Sequence, residues 1–321
     1  MAASGNSPST DRVIACIGAT LDKYVSEGQS LTVGLSGGLD STVLTHAVSL
    51  VAAGRHLSVE ATYVNHGLSI NADAWGKACS ELCSGLNVPF SIISVVVQDD
   101  SGVGLECAAR NLRHQALNSR CSDWVLLAHH RGDQCETLLH NLLRGAGVNG
   151  AAAMPERVAR TLRPLLTLPR SDLLGYAEHN QLSWIEDESN LDIRLTRNHI
   201  RHQIMPLVQA KFPQAEKQLA AATIRFGETL SLMDDLARID LGDHSADFPV
   251  SLTLFKELNA VRALNLLRAL LAWHSIQLPD DGRLREFIRQ VRTSKPDRHP
   301  KLDFSGYTLE CRARLLHLKS T

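Results

Sequence analysis

The segment Leu31-Thr32-Val33-Gly34-Leu35-Ser36-Gly37-Gly38-Leu39-Asp40-Ser41 decides the fold class. Its first five residues form an apolar run short enough for a strand. Ser36-Gly37-Gly38 ends the run, and a helical pattern follows from Ser41 to about Val51. Two glycines between a strand and a helix let backbone N–H groups converge on one concavity. The helix that opens there adds the positive end of its dipole. Ser36 and Ser41 add hydroxyl donors. The result is a cradle for phosphate or pyrophosphate made by Ser36, Gly37, Gly38, Leu39, Asp40 and Ser41. No lysine stands where a Walker A loop needs one. Asp40 would repel a bare phosphate. It fits if Mg2+ lies between the two, because hard cations take carboxylate and phosphate oxygens together. A glycine-rich turn capped by Asp40 is the competing reading, and the strand–loop–helix order weighs against it.

Outward from this loop the pattern repeats. Strands are predicted at Leu57–Val64, Phe90–Val97 and Trp124–Ala128. Helices are predicted at about Ala72–Leu86, Gly104–Ser119 and Asp133–Arg144. Alternation on this scale argues for α/β architecture, a doubly wound and mainly parallel sheet with helices on both faces. After Gly145 the alternation stops. Helices are predicted at Ser171–Asn180 and Arg194–Leu207, the latter ended by Pro206, with a polar loop at Ile185–Asn190. A long connector helix spans about Gln214–Ile239. Beyond it come helices at about Leu254–His274 and Asp281–Arg292, then strands at Leu302–Phe304, Tyr307–Cys311 and Leu315–Leu318. The domain reading is a catalytic domain at 1–212, a connecting helix at 213–245 and a smaller helical and α+β domain at 246–321.

Four further segments carry charged or polar residues at strand ends or on single helix faces. Val64-Asn65-His66-Gly67-Leu68-Ser69 follows the second strand, where open α/β sheets bind ligands. Glu106, Arg110 and Arg113 share one face of a helix, as a salt-bridged surface helix would also arrange them. In Ala128-His129-His130-Arg131-Gly132-Asp133-Gln134-Cys135-Glu136-Thr137, Asp133 and Glu136 project from one side of a first helical turn. Carboxylates there serve as caps or bind an ammonium or a cation. Glu186-Asp187-Glu188-Ser189-Asn190-Leu191-Asp192 precedes Arg197-Asn198-His199-Ile200-Arg201. Arg197 and Arg201 reach one side of a helix, and guanidinium forks suit phosphates and carboxylates.

The Ser-Gly-Gly-x-Asp-Ser loop resembles the PP-loop of the N-type ATP pyrophosphatases. Together with VNHGLS, ExAAR, AHHxxDQxETLLxxLxRGxGxxG and EDxSNxDxxxxRNxxRxxxxP, it resembles the tRNA(Ile)-lysidine synthetase family within that superfamily. The resemblance covers about residues 25–210 strongly and 250–318 weakly. It implies an ATP-dependent ligase that adenylates the wobble cytidine of the CAU anticodon of tRNA(Ile), joins free L-lysine to carbon 2, and releases AMP and diphosphate. Codon reading then changes from AUG to AUA. The implied partners are tRNA(Ile), lysine and ATP with Mg2+, in the cytoplasm. Residue by residue, it implies ATP contacts at Ser36–Ser41, His66, Arg197 and Arg201. It places a lysine or cytidine site at Arg110, Arg113, His129, His130, Asp133 and Glu136. Asp40, Asp133 and Glu136 are its catalytic candidates, and Asp40 its Mg2+ ligand. His129 and His130 are candidates for the base that takes the amine proton. One departure stands out: the family usually carries an acid where this chain has Gly132. Longer members also carry a further C-terminal domain that is not in this sequence.

Composition narrows the alternatives. The 321 residues suggest two domains, and 44% hydrophobic with 21% charged residues is ordinary for a globular protein. No apolar stretch reaches the length of a membrane span, and the N-terminus lacks the pattern of a secretory leader. Seven cysteines at irregular gaps, with no CxxC pair, do not form a disulfide framework and point to reduced thiols. The absence of CxxC also weighs against the nearest rival, a tRNA cytidine thiolase. A GMP or NAD synthetase relative and a tRNA-binding scaffold with a degenerate loop are more distant rivals. Net charge is −1, but residues 283–321 hold ten Lys or Arg against four acids. Such a basic module suits a polyanion, with Arg283, Arg285, Arg289, Arg292 and Lys295 as candidate tRNA contacts. The sequence leaves monomer or homodimer open.

Overall fold

The computed structural model describes the backbone of residues 7–97, 105–294 and 298–320, and the side chains of all of these except 105–107, 189 and 190. Lys295 and the Glu106 side chain, both singled out above, lie outside the described residues, as does Gly104 at the predicted start of its helix. The chain divides into two compact units, Met1–Gly227 and Glu228–Thr321.

The first described element of this unit is helix α1 (Pro8–Tyr24), which is not among the elements predicted above. Its start signal is nevertheless present: Ser7 caps the Thr10 N–H at 3.2 Å, and Pro8 occupies the first turn, where its missing N–H costs nothing. Strand β1 (Ser30–Gly34), helix α2 (Leu39–Ala53), strand β2 (Ser58–Asn65), helix α3 (Ala72–Gly85), strand β3 (Phe90–Ser94), helix α4 (Leu105–Asn118), strand β4 (Trp124–Leu126) and helix α5 (Arg131–Leu143) follow in strict alternation. Helix α6 (Val148–Ala151) leads to the short strands β5 (Arg157–Val158) and β6 (Thr161–Leu162), and then to α7 (Arg170–His179). The sheet order is β3-β2-β1-β4-β6-β5, parallel except for the β5–β6 pair. β1 is therefore flanked by β2 on one side and β4 on the other, and the chain reverses direction across the sheet there. Ligands bind at that kind of switch point, beyond the strand C-termini.

Burial explains the alternation. Leu31 and Val33 of β1 and Leu126 of β4 are buried, because helices cover both faces of the sheet. Val13, Ile17 and Leu21 of α1, Val43, Leu44 and Ala47 of α2, and Leu173, Tyr176 and Ala177 of α7 pack on one face. Cys79 and Cys83 of α3 sit with Leu35, Ala61 and Tyr63. Each fully buried Leu contributes about 1.5–3 kcal/mol of transfer free energy. The six described cysteines are free thiols.

The predicted Arg194–Leu207 helix takes a different course. A short α8 (Thr196–His199) opens into a π turn at Ile200–Ile204 and closes into α9 (Met205–Lys211). Pro206 does not end the helix. It enters the first turn of α9, and the widened turn before it accommodates the ring and the missing donor. Helix α10 (Ala215–Leu241) crosses the unit boundary. Its Ala220 packs with Cys135, Ile200 and Met205 in the first unit, and its Ala237 and Leu241 join the core of the second.

The second unit continues with strand β7 (Val250–Ser251), helix α11 (Leu252–Glu257) and helix α12 (Ala260–Trp273), where one helix is predicted from about Leu254 to His274. Asn259 makes the break: its Oδ1 accepts the Val261 and Arg262 N–H groups at 3.0 Å, a new N-cap. Helix α13 (Asp281–Thr293) and strands β8 (Lys301–Phe304), β9 (Tyr307–Arg312) and β10 (Leu315–Ser320) complete an antiparallel sheet ordered β7-β10-β9-β8. Among the described residues, no helix is long and apolar enough to cross a membrane.

Candidate active site

The Ser36–Ser41 loop leaves β1 and ends at Gly38, the N-cap of α2. Gly37 has a φ of 85°, and a Cβ there would meet Ile185 Cδ1 at 2.7 Å. The Gly37 carbonyl accepts the Ile185 N–H at 2.9 Å. Only glycine fits a position strained in both ways. Ser41 Oγ accepts the Ser36 N–H at 3.1 Å and lies 3.0 Å from Ser36 Oγ, so the two hydroxyls tie the loop closed. Thr42 Oγ1 donates to the Gly37 carbonyl at 3.3 Å. The loop is thus pre-formed, with its free amides at the start of α2.

Asp40, in the first turn of α2, has a buried Oδ1 without a hydrogen-bond partner. Its Oδ2 lies 3.8 Å from His130 Nε2. Burial raises the Asp40 carboxyl above its usual value; His130, Arg170 and Arg201 oppose that, and Asp133 adds to it. An orphaned buried carboxylate oxygen at a phosphate cradle is the donor that a hard cation would satisfy. Among the described residues, no cluster of three His, Cys, Asp or Glu side chains could hold a metal alone. The donor set therefore fits Mg2+ carried mainly by phosphate oxygens, with Asp40 as a single protein ligand.

β4, beside β1, delivers the second half of the site. His130 caps α5: its Nδ1 accepts the Gly132 N–H at 2.9 Å, while Asp133 Oδ2 accepts the His130 N–H at 2.9 Å. The capping reading of Asp133 and its placement in the site hold together. A Cβ on Gly132 would meet His130 Cε1 at 2.7 Å. Arg201, from the π turn, reaches both α5 carboxylates. Its Nε donates to Glu136 Oε1 at 2.5 Å, and its Nη2 donates to Asp133 Oδ1 at 2.9 Å and Glu136 Oε2 at 3.0 Å. Burial would raise the Asp133 carboxyl, but His130, His129 and Arg201 hold it below its usual value. Burial does raise Glu136, against the pull of Arg201. Burial opposes the Arg201 charge, yet Glu136 and Asp133 hold it above its usual value. Arg201 is thus an organiser of the carboxylates in this structure.

The remaining candidates form a half-buried basic cluster. Burial, then Arg197, Arg113 and Arg163, push Arg110 down to about 10. Burial and then Arg197 lower Arg113 as well. His129, with an unpartnered buried Nδ1, is pushed down to about 3 by burial. His66 also has a buried, unpartnered Nδ1 and is lowered by burial and by Arg113. Both rings are neutral near pH 7. Arg163 and His114, which the sequence reading does not select, belong to the same cluster: Arg163 is buried with an unpartnered Nε, and burial and the arginines push His114 down to about 4. His114 stands four residues after Arg110, a spacing that could have identified it. No periodicity marks Arg163, which lies in a Pro-punctuated loop. The crowded guanidiniums repel one another and Asp133 offsets part of that repulsion, so the arrangement suits an anionic ligand.

The basic module is a different environment. Arg283 donates to the Asp303 carbonyl, Arg285 pairs with Asp281 at 2.6 Å, and Arg289 pairs with Glu286 at 2.6 Å. Arg292 has a buried Nε without a partner.

Comparison with known proteins agrees with this geometry. Residues 11–208 match a family described as a PP-loop domain, and residues 251–317 match one described as the TilS substrate binding domain. A tRNA(Ile)-lysidine synthase of Nitrosomonas europaea is 39% identical over 98% of this chain and 70% of its own length. Those of Azoarcus sp. and Aromatoleum aromaticum are 40% and 42% identical over 84% of this chain, which spans 61% and 64% of their lengths. Among solved structures, the U34-tRNA thiolase NcsA from Methanococcus maripaludis, with its [4Fe-4S] cluster, superposes with a TM-score of 0.59 at 17% identity. The match covers 68% of this chain and 80% of that one, which is a likeness of fold.

Proposed function

The chain belongs to the tRNA(Ile)-lysidine synthase family, and from that premise we propose that it joins free L-lysine to the wobble cytidine of a CAU-anticodon tRNA(Ile) at the expense of ATP. The observation that carries the reading is the junction of the pre-formed phosphate cradle with Asp40, Asp133 and Glu136 at the switch point of the sheet.

ATP phosphates lie on the amides and hydroxyls of Ser36–Ser41. Mg2+, when bound, neutralises phosphate charge, and the orphaned Asp40 oxygen is the protein atom placed to hold it. Oxygen 2 of the cytosine attacks the α-phosphorus, the bond to the β-phosphate oxygen breaks, and diphosphate leaves. The arginines Arg110, Arg113, Arg163 and Arg197 supply the positive field that this charge transfer needs, so the chemistry is mainly positioning and electrostatics. The lysine ε-amine, once deprotonated, attacks carbon 2 and AMP leaves. Its solution pKa, about 10.4, requires a group that takes the proton. Glu136 suits that role better than Asp133, because burial already raises its proton affinity whereas Asp133 is held ionised. His129 and His66, neutral and facing the arginines, are placed for hydrogen bonding to the base or the nucleotide. The cytidine must leave its stack to enter such a site. The second unit grips tRNA, and the enzyme works in the cytoplasm, where ATP and tRNA are found.

Incorporation of labelled lysine into a CAU-anticodon tRNA(Ile) transcript tests the reading. ATP-dependent labelling that disappears in Asp40→Ala supports it. Absence of labelling by the unaltered chain, with tRNA still bound, overturns it.

A further inference from the structure

Gln134 lies in α5 between Asp133 and Glu136 and is buried, yet the chemistry above gives it no task. Its amide makes two hydrogen bonds to one backbone residue. Nε2 donates to the Met154 carbonyl at 2.6 Å, and Oε1 accepts the Met154 N–H at 2.9 Å. A backbone N–H only donates and a carbonyl only accepts, so the pair fixes the amide in one orientation. Met154 follows Ala153, which takes a φ of 53° in the turn between α6 and β5. A left-handed alanine persists only where surrounding contacts hold it, and the clamp supplies two of them at the next residue. The same segment holds an arginine of the basic cluster. Arg163 Nη1 donates to the Pro155 carbonyl at 3.0 Å, and the Arg163 N–H donates to the Glu156 carbonyl at 2.9 Å. Arg163 is 8% exposed, and its Nε has no partner. Its charge acts on Arg110, His129 and His114, so the guanidinium sits within the cluster. Arg110 Nη2 in turn lies 4.0 Å from Met154 Sδ.

Resting on the function proposed above, we propose that Gln134 is a positioning residue: its clamp on Met154 sets the Met154–Glu156 segment, and that segment places the Arg163 guanidinium relative to the α5 carboxylates. Gln134 itself does not touch the substrate. Removing its amide leaves the Met154 N–H and carbonyl buried without partners, a state that the segment relieves by moving. The Pro155 carbonyl moves with it, and Arg163 loses its fixed point. The carboxylates stay in place, because Arg201 and the His130 N–H hold them independently.

A double-mutant cycle with Arg163 tests the link. In kcat/KM for transfer of AMP from ATP to tRNA, Gln134→Leu and Arg163→Met are each expected to lose about 10- to 100-fold. Because the first acts through the second, the double variant is expected within about threefold of the worse single variant, whereas independent losses multiply. Gln134→Glu keeps the acceptor for the Met154 N–H and loses the donor for its carbonyl. It is expected to fall between the unaltered chain and the leucine variant, and it carries the cycle if the leucine variant does not fold. Hydrogen exchange at the Met154 amide is expected to speed up by about tenfold or more in Gln134→Leu. Losses that multiply, Leu and Glu variants that turn over like the unaltered chain, or an unchanged Met154 exchange rate overturn the proposal. The same cycle is read in the Kd for a CAU-anticodon stem-loop RNA, which needs no turnover. A chain that binds this RNA with the expected coupling but transfers no AMP overturns the reading of function and leaves the role of Gln134 standing.

Discussion

The basic cluster built from α4 and the end of β6 and the basic helix α13 contrast in how their charge is satisfied. In the first, burial desolvates Arg110, Arg113 and Arg163, and other guanidiniums press on Arg110 and Arg113. In the second, Arg285 and Arg289 are paired with acids on their own helix, and Arg283 is tied to a backbone carbonyl. Counting charges along the chain ranks residues 283–321, which include most of α13, as the more basic feature. Solvation reverses the order: charge that is desolvated beside like charge is held at a cost and points to a ligand, whereas charge paired at the surface costs little and directs little. The α5 carboxylates fall between, since Arg201 holds them in place in a chain that still leaves Asp40 Oδ1 unsatisfied.

The contrast can be broken most directly at Asp40. Asp40→Ala is expected to lower AMP transfer to tRNA by roughly 10^2- to 10^3-fold or more, with the circular dichroism of the fold retained. Next in size, Arg110→Ala or Arg113→Ala should cost about 10- to 100-fold in kcat/KM, as expected for a desolvated contact to a charged substrate. Arg289→Ala should change tRNA affinity by less than about threefold, because a surface pair contributes little. A larger loss from Arg289→Ala than from Arg113→Ala would invert the comparison.

Two smaller effects sharpen it. Gly37→Ala combines a positive φ with the Ile185 contact and should destabilise the chain by about 2–4 kcal/mol in urea unfolding. Gly306→Ala, with a φ of 80° and open space around it, should cost only the backbone part, about 1–2 kcal/mol. The difference between them measures the grip of Ile185 on the loop. His129 titrates at about 3 in the folded chain, against 6.5 in a solvated chain. The unfolded chain then binds the extra proton below pH 6.5, so stability falls as pH drops from about 6.5 towards 3, by at most about 1.4 kcal/mol per pH unit. His129→Gln should flatten that slope in melting curves recorded across the window.

Legibility in the sequence followed the range of the interactions. The alternation of β1 to α5 could be read because each element is defined by its own apolar period, and the phosphate cradle because its six residues are contiguous. Pro206 misled because its effect depends on the π turn before it, not on proline alone. The break at Asn259 was visible as a capping residue but was outweighed by the apolar pattern on either side. Arg201 could be named a site residue from its spacing, yet its attachment to Glu136 joins residues 65 apart in the chain, and no local pattern contains that. Ile185 appeared only as the first residue of a polar loop, since its contact with Gly37 is likewise long-range. The pairing of α13 arginines with Asp281 and Glu286 was readable from three- and four-residue spacings, and a net charge count hides it.

The most direct measurement of the central claim follows label from α-labelled ATP into tRNA with lysine omitted. The account predicts that a CAU-anticodon tRNA(Ile) becomes labelled, that adding lysine discharges the label as AMP, and that a transcript with the wobble cytidine replaced takes up none. Label that never enters tRNA, while lysine is still consumed or ATP is still cleaved, would contradict activation of the base at this site.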